Sequence, residues 1–100
     1  MIGKWKMVID TPFGDEDYNF KLDTITPHVS GSIWTEMGFA TFDNGKFDNG
    51  KLQIKFDVDT PQKASILIEG NFLYNSIMGT VQVDEYPKMI FKADSYNVNI

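Results

Sequence analysis

The sequence contains no cysteine and no arginine, and its single histidine is His28. Without cysteine there are no disulfides, no thiolate metal sites and no thiol nucleophiles. Because small secreted domains often depend on disulfides, we expect a reducing, cytoplasmic location. Zinc needs three or four nitrogen or sulfur ligands, and one histidine cannot supply them. We therefore expect no zinc site.

Positive charge is also scarce. Nine lysines face fourteen aspartates and glutamates, which gives a formal net charge of −5. The phosphate backbone of a nucleic acid repels such a surface, and bidentate arginine contacts to bases are unavailable. Anionic membrane surfaces are disfavoured for the same reason, and no apolar run is long enough to span a bilayer. The N-terminal residues alternate and lack the apolar core of a signal peptide. We expect neither nucleic acid nor membrane as a partner.

Motifs for bound nucleotides and calcium are missing as well. The sequence has no phosphate loop of the Walker type and no dinucleotide-binding glycine pattern. The acidic segments Asp15-Glu16-Asp17 and Asp43 to Asp48 do not fit the spacing of an EF-hand loop, so solvated turns are expected there. We predict no cofactor.

What the sequence does contain is alternation of apolar and polar residues. From Lys51 to Asp59 the pattern has no fault, which is typical of a half-buried antiparallel strand. The same period of two, broken by turn signals, predicts about eight strands, at roughly 3–10, 17–25, 29–36, 38–43, 51–59, 64–72, 75–84 and 87–94. A chain of 100 residues leaves room for one domain, spanning 1–100.

Two Asn-Gly pairs compete for one hairpin turn. Asn44-Gly45 and Asn49-Gly50 flank the short segment Lys46-Phe47-Asp48. Asn-Gly accepts positive φ at both central positions of a type I′ turn, so either pair suits a hairpin. One pair is the turn and the other a bulge, or a very short strand lies between them. The sequence leaves this open.

Eight short strands with one apolar face each have two good arrangements. They close into an up-and-down barrel or stack as a β-sandwich. Closure removes both free edges, and we therefore predict an all-β antiparallel barrel. Gly31, Gly70 and Gly79 lie on the apolar phase of their strands. Glycine there marks either tight coiling of the sheet or interior space for a ligand.

The first strand carries Gly3-Lys4-Trp5. A Gly-x-Trp on the first strand, followed by a run of antiparallel strands, resembles the calycin group of lipocalins, fatty-acid-binding proteins and avidins. The resemblance implies that Trp5 plugs a closed end of the barrel, and that Lys88 or Lys92 packs across it. It also implies binding of a small, largely apolar molecule at the open end. The chain is shorter than a lipocalin, so a cavity that is small or absent is expected.

The candidate ligand-binding residues are aromatic rings near strand ends and two polar anchors. Rings with a polar tip suit the wet rim of a barrel. His28 is a candidate general acid or base, and Glu36 next to an aromatic ring is able to hold a polar ligand group. The strand pattern turns Trp34 and Glu36 outward unless a bulge shifts the phase. The set is Tyr18, His28, Trp34, Glu36, Phe39, Tyr74 and Tyr86.

Two other functions compete with ligand binding. One is an isomerase or cyclase that moves a proton with His28, Glu36 or a tyrosine. The other is an assembly module, either a homodimer or a domain docked on a larger protein. It rests on apolar residues in the outward phase, which form one patch if their strands are neighbours. These residues are Val8, Leu67, Met78 and Ile90. The alternating tail from Ser95 to Ile100 is able to add a strand within the chain or on a partner's edge.

Overall fold

The computed structural model describes residues 2–35, 38–59 and 63–95, and these ranges contain eight β-strands. They are β1 (Gly3–Thr11), β2 (Gly14–Thr24), β3 (Val29–Thr35), β4 (Gly38–Asp48), β5 (Lys51–Val58), β6 (Ala64–Leu73), β7 (Ser76–Val83) and β8 (Met89–Ser95). Two strands are longer than predicted, since β2 begins at Gly14 and β4 continues to Asp48. The C-terminal tail predicted to add a strand lies, after Ser95, outside the described residues.

The strands form a closed barrel. Each strand pairs antiparallel with the next along the chain, and β8 returns to pair with β1, where Met7 lies opposite Ala93. Closure gives both terminal strands a hydrogen-bonded neighbour on each side, which a sandwich does not. The predicted up-and-down barrel is therefore confirmed, and the β-sandwich alternative is wrong.

The structure resolves the choice between the two Asn-Gly pairs. Asn49 and Gly50 have φ values of 52° and 79° and connect β4 to β5, as a type I′ hairpin turn requires. Asn44 and Gly45 lie inside β4, beside a shift in the register with β3. Between the pairs Val29–Gly45 and Gly31–Phe42, the single residue Ser30 of β3 lies opposite Asp43 and Asn44 of β4, so Asn44 belongs to a β-bulge.

Alternation sorts the side chains between the barrel interior and the solvent. In β5, every second residue from Leu52 to Val58 is buried and those between are exposed. One end of the interior is filled by rings. Trp5 is 2% exposed and stacks on Phe20 at a centroid distance of 6.0 Å, and Phe72 meets Trp5 edge-on at 6.0 Å. We call this end, which carries the β2–β3, β4–β5 and β6–β7 connections, the closed end.

Neither lysine suggested by the resemblance packs across Trp5. Lys92 lies in β8 between the buried residues Phe91 and Ala93, so alternation turns it outward, 4.0 Å from Asp94. Lys88 precedes β8 at the other end of the barrel, and its ammonium lies 3.7 Å from Glu69. Both side chains are about half exposed.

The inward-phase glycines are explained by close approach of the backbone. A Cβ added to Gly79 would collide with the carbonyl oxygen of Glu69, and one added to Gly31 would collide with that of Lys21. Gly70 lies opposite Gly79, and the ring of Phe91 already occupies the space over it. Tight coiling of the sheet therefore accounts for these glycines, and the side chains of Phe91 and Ile77 fill the space beside Gly70.

One seam in the barrel wall has few backbone pairs. The ladder between β4 and β5 comprises Lys46–Gln53, Phe47–Leu52 and Asp48–Lys51, next to the hairpin turn. Farther from that turn, the described residues of β4 and β5 form no further backbone pairs. The buried rings of Phe42 and Phe56, 6.2 Å apart, pack against each other behind this seam. Side chains rather than backbone hydrogen bonds close the wall there.

Candidate functional site

The barrel end opposite Trp5 holds an interior cavity. We call this end the mouth; it carries the connections that follow β1, β3, β5 and β7. The cavity measures about 220 Å³, and its inner wall is built from buried apolar side chains. These include Met7, Ile9, Ile33, Phe56, Ile68 and Val81. The rim includes Pro12, Phe13, Val83 and Met89. An apolar wall open to solvent at one end is the usual form of a small-molecule site.

Polar side chains enter the cavity lining from β1, β2 and β3. The Tyr18 hydroxyl donates a hydrogen bond to the Glu16 carboxylate, with an oxygen–oxygen distance of 3.2 Å. Both residues are half-buried and line the cavity. The hydroxyl groups of Thr11 and Thr35 also reach the lining and donate to the backbone carbonyls of Gly14 and Gly38. Among the described lining residues, Glu16 is the one that carries a charge.

Sequence reasoning missed Glu16. The acidic segment Asp15-Glu16-Asp17 was expected to form a solvated turn, but it lies within β2. The available signal was the phase of the strand. Glu16 is two residues before Tyr18 and four before the buried Phe20, so the alternation places it on the inward side. Glu16 is half-buried there, near the mouth.

The predicted site residues do not lie together: the structure places them in the cavity lining, on the outer wall and in connections at both ends of the barrel. Of the six that the structure describes, Tyr18 alone lines the cavity. Trp34 and Phe39 pack against each other at 5.2 Å on the outer wall, 46% and 58% exposed. Trp34 follows the buried Ile33, and no bulge intervenes, so its side chain points away from the interior. Tyr86 lies in the exposed β7–β8 connection at the mouth, outside the cavity lining.

The two remaining described residues are at the wrong end for this cavity. His28 is exposed in the β2–β3 connection, and Tyr74 is 85% exposed in the β6–β7 turn, both at the closed end. Topology causes this, since connections of an up-and-down barrel alternate between its ends. Glu36 lies outside the described residues. An isomerase or cyclase that uses His28 on a ligand in this cavity is therefore not supported by the geometry.

Acidic side chains surround the mouth. They are Asp10, Asp15, Asp57, Asp59, Asp84 and Glu85, on the mouth connections or the strand ends beside them. Asp57 and Asp84 are tied together because both carboxylates accept hydrogen bonds from Ser65. The lysines near this end are Lys63 and Lys88, and Lys88 is drawn to Glu69 on the outer wall. Within the described residues, negative charge therefore predominates around the cavity entrance.

The outward apolar residues lie on neighbouring strands, because β6, β7, β8 and β1 are adjacent in the barrel. Met78 and Val8 both lie opposite Lys92, so a lysine separates them. Ile90 lies opposite Thr80, and Leu67 opposite Gln82. Polar side chains thus interrupt the expected patch. Dimerisation or docking through it remains a prediction, which Met78→Lys and size-exclusion chromatography would test.

No group of three or more histidine, aspartate or glutamate side chains in residues 2–35, 38–59 and 63–95 is arranged to hold a metal ion. The same ranges contain no helix long and apolar enough to cross a membrane. Comparison with protein-family models, with curated proteins and with solved structures found no significant match for this chain. What is shown is therefore a closed, eight-stranded antiparallel barrel with an apolar cavity at its mouth.

Proposed function

We propose that this protein binds a small, largely apolar molecule in the mouth cavity, as the resemblance of its first strand to calycins implies. The cavity itself carries the proposal: it has a volume of about 220 Å³ and is walled by buried apolar side chains such as Ile9, Ile33 and Val81. A water molecule is poorly stabilised in such a space, because few hydrogen-bond partners are available there. An apolar ligand gains the dispersion contacts that the empty wall lacks.

The volume limits the size of the ligand. An engineered apolar cavity of about 150 Å³ accommodates benzene, whereas pockets for drug-sized molecules begin near about 300 Å³. A cavity of about 220 Å³ therefore suits a single ring with a short side chain, or a short aliphatic chain. Long fatty acids and bicyclic pigments exceed it.

Thermal unfolding in the presence of 2-phenylethanol tests the proposal. A ligand at ten times its Kd adds about 1.4 kcal/mol to the free energy of unfolding. In a domain of this size, each kcal/mol of added stability raises the Tm by roughly 4–8 °C. We expect a saturable rise in Tm, and chemical-shift changes that are largest for the methyl groups of the cavity wall.

A matched pair of variants locates the binding site. Val83→Phe places a ring at the cavity rim, where Val83 is half-buried, and should abolish the rise in Tm. Val8→Phe makes the same change on the outer face of β1, away from the cavity, and should leave the rise intact. Equal loss in both variants, or no binding to the unmodified protein, would count against the proposal.

A further inference from the structure

We infer that the ligand of this cavity is an apolar cation, a small amine in its protonated form. The inference rests on the proposed function and adds a charge to the ligand. It comes from the cavity lining, in which Glu16 is the charged residue among an otherwise apolar or hydroxyl-bearing set. No lysine or histidine of the described residues lines the cavity. A ligand seated against this wall therefore places its polar end beside a carboxylate.

The carboxylate is positioned by its neighbour. Tyr18 donates to one oxygen of Glu16 at 3.2 Å, and both side chains project into the mouth from the same face of β2. An ionised carboxylate accepts about four hydrogen bonds and donates none. The Tyr18 hydroxyl occupies one of these positions, so a ligand that donates complements this group. A protonated amine donates up to three hydrogen bonds and also carries the opposite charge.

Anionic ligands meet the opposite situation. A carboxylic acid in its ionised form would bring its charge next to Glu16 with no cation in the described lining to neutralise it. Binding such a ligand is unfavourable for two reasons: the ligand loses hydration without gaining an opposite charge, and the carboxylate of Glu16 repels it. A neutral ligand fills the apolar wall but gains nothing from the charge of Glu16. We therefore expect the cavity to bind an amine more tightly than an alcohol, and an alcohol more tightly than a carboxylate.

The negative charge around the cavity entrance also favours cationic ligands, and it does so at longer range. Asp10, Asp15, Asp57, Asp59 and Asp84 surround the mouth, and they attract cations before any contact forms. Such steering between exposed charges weakens as ionic strength rises, whereas the contact with half-buried Glu16 is screened less. Salt is therefore expected to slow amine association more than it weakens the final complex.

The experiment uses three ligands of similar size: 2-phenylethylamine as the cation, 2-phenylethanol as the neutral analogue and phenylacetate as the anion. Isothermal titration near neutral pH gives a Kd for each. We expect the amine to bind about tenfold to a hundredfold more tightly than the alcohol, which is the range for hydrogen bonds to charged groups. The anion should bind more weakly than the alcohol.

Three variants separate contact with Glu16 from the general charge of the mouth. Glu16→Gln keeps the size of the side chain and should reduce amine affinity to that of the alcohol, while alcohol affinity stays the same. Asp15→Asn removes the same charge from the adjacent, exposed residue and should change amine affinity by less than about twofold at physiological ionic strength. Tyr18→Phe keeps the carboxylate, so preference for the amine should persist even if Glu16→Gln does not fold.

The outcomes distinguish this inference from the function on which it rests. If the alcohol and the amine bind the cavity equally, and Glu16→Gln alters neither, the cation inference is overturned while apolar binding stands. If Asp15→Asn weakens the amine as much as Glu16→Gln does, direct recognition by Glu16 is overturned in favour of general charge. If none of the three ligands binds, both the inference and the proposed function fail.

Discussion

Phe42 and Phe56 pack against each other, with ring centroids 6.2 Å apart, behind the stretch of wall where β4 and β5 do not pair. Both rings are 6% exposed, and Phe56 also lines the mouth cavity. The same ring therefore closes the seam and shapes the site. This relationship makes the seam the part of the wall that depends most on side-chain packing and least on backbone hydrogen bonds.

Hydrogen exchange should reveal the seam. Amides of β4 between Gly38 and Asp43 that point away from β3 lack a strand partner on that side, so they should exchange early. The amides of β6 from Ile66 to Asn71, paired with both β5 and β7, should exchange with the slowest group. Exchange resolved by residue with nuclear magnetic resonance checks this contrast. Uniform protection around the barrel would contradict it.

Gly79→Ala should destabilise the barrel strongly. The added Cβ meets the carbonyl oxygen of Glu69, a backbone atom that cannot rotate away, so neighbouring strands must separate. Overpacking of this kind typically costs about 1–3 kcal/mol, and the close contacts here are all with backbone atoms of Glu69 and Gly70 in β6. Urea unfolding monitored by tryptophan fluorescence gives the change in free energy.

Gly50→Ala is the matched control for that substitution. Gly50 has φ of 79°, and an added Cβ would make only an ordinary van der Waals contact, 3.7 Å from the Phe72 carbonyl oxygen. Its cost is therefore conformational strain alone, about 1–2 kcal/mol. Gly79→Ala should unfold at the lower urea concentration. The reverse order would show that the sheet relaxes around Gly79.

The two Asn-Gly pairs should respond differently to alanine. Asn49 has φ of 52°, a conformation that asparagine tolerates and alanine does not, so Asn49→Ala should cost about 1 kcal/mol. Asn44 lies in the bulge of β4, exposed, and is not among the residues with positive φ. Asn44→Ala should therefore change the free energy of unfolding by less than about 0.5 kcal/mol. Equal costs would mean that the turn assignment is wrong.

His28→Ala should leave ligand affinity unchanged. His28 is exposed at the closed end, and the cavity opens at the mouth, so the substitution removes no contact with the ligand. The Kd for 2-phenylethylamine should stay within about twofold of the unmodified protein. Titration of this variant beside Glu16→Gln provides the comparison. A large loss of affinity would place the site at the closed end instead.

Part of the site was predictable from the same alternation that predicts the strands. Tyr18 was identified because it lies near the end of a strand on the apolar phase, and the cavity includes it. Glu16 was not, because β2 was expected to begin three residues later, and a run of three acidic residues favours a turn. Trp34 and Phe39 were grouped with the site by ring chemistry alone. The strand pattern turned Trp34 outward, and that phase was the better guide.

The sequence by itself determined that the chain forms short antiparallel strands with one apolar face each, because a period of two is a local property of the residues. It also fixed that connections are short, so that consecutive strands are neighbours. Only the tertiary structure decided which Asn-Gly pair forms the turn and which connections meet at the mouth. Those outcomes depend on register and on closure of β8 against β1, which involve residues distant in sequence. Glu16 faces a cavity for that reason, while His28 faces solvent at the other end.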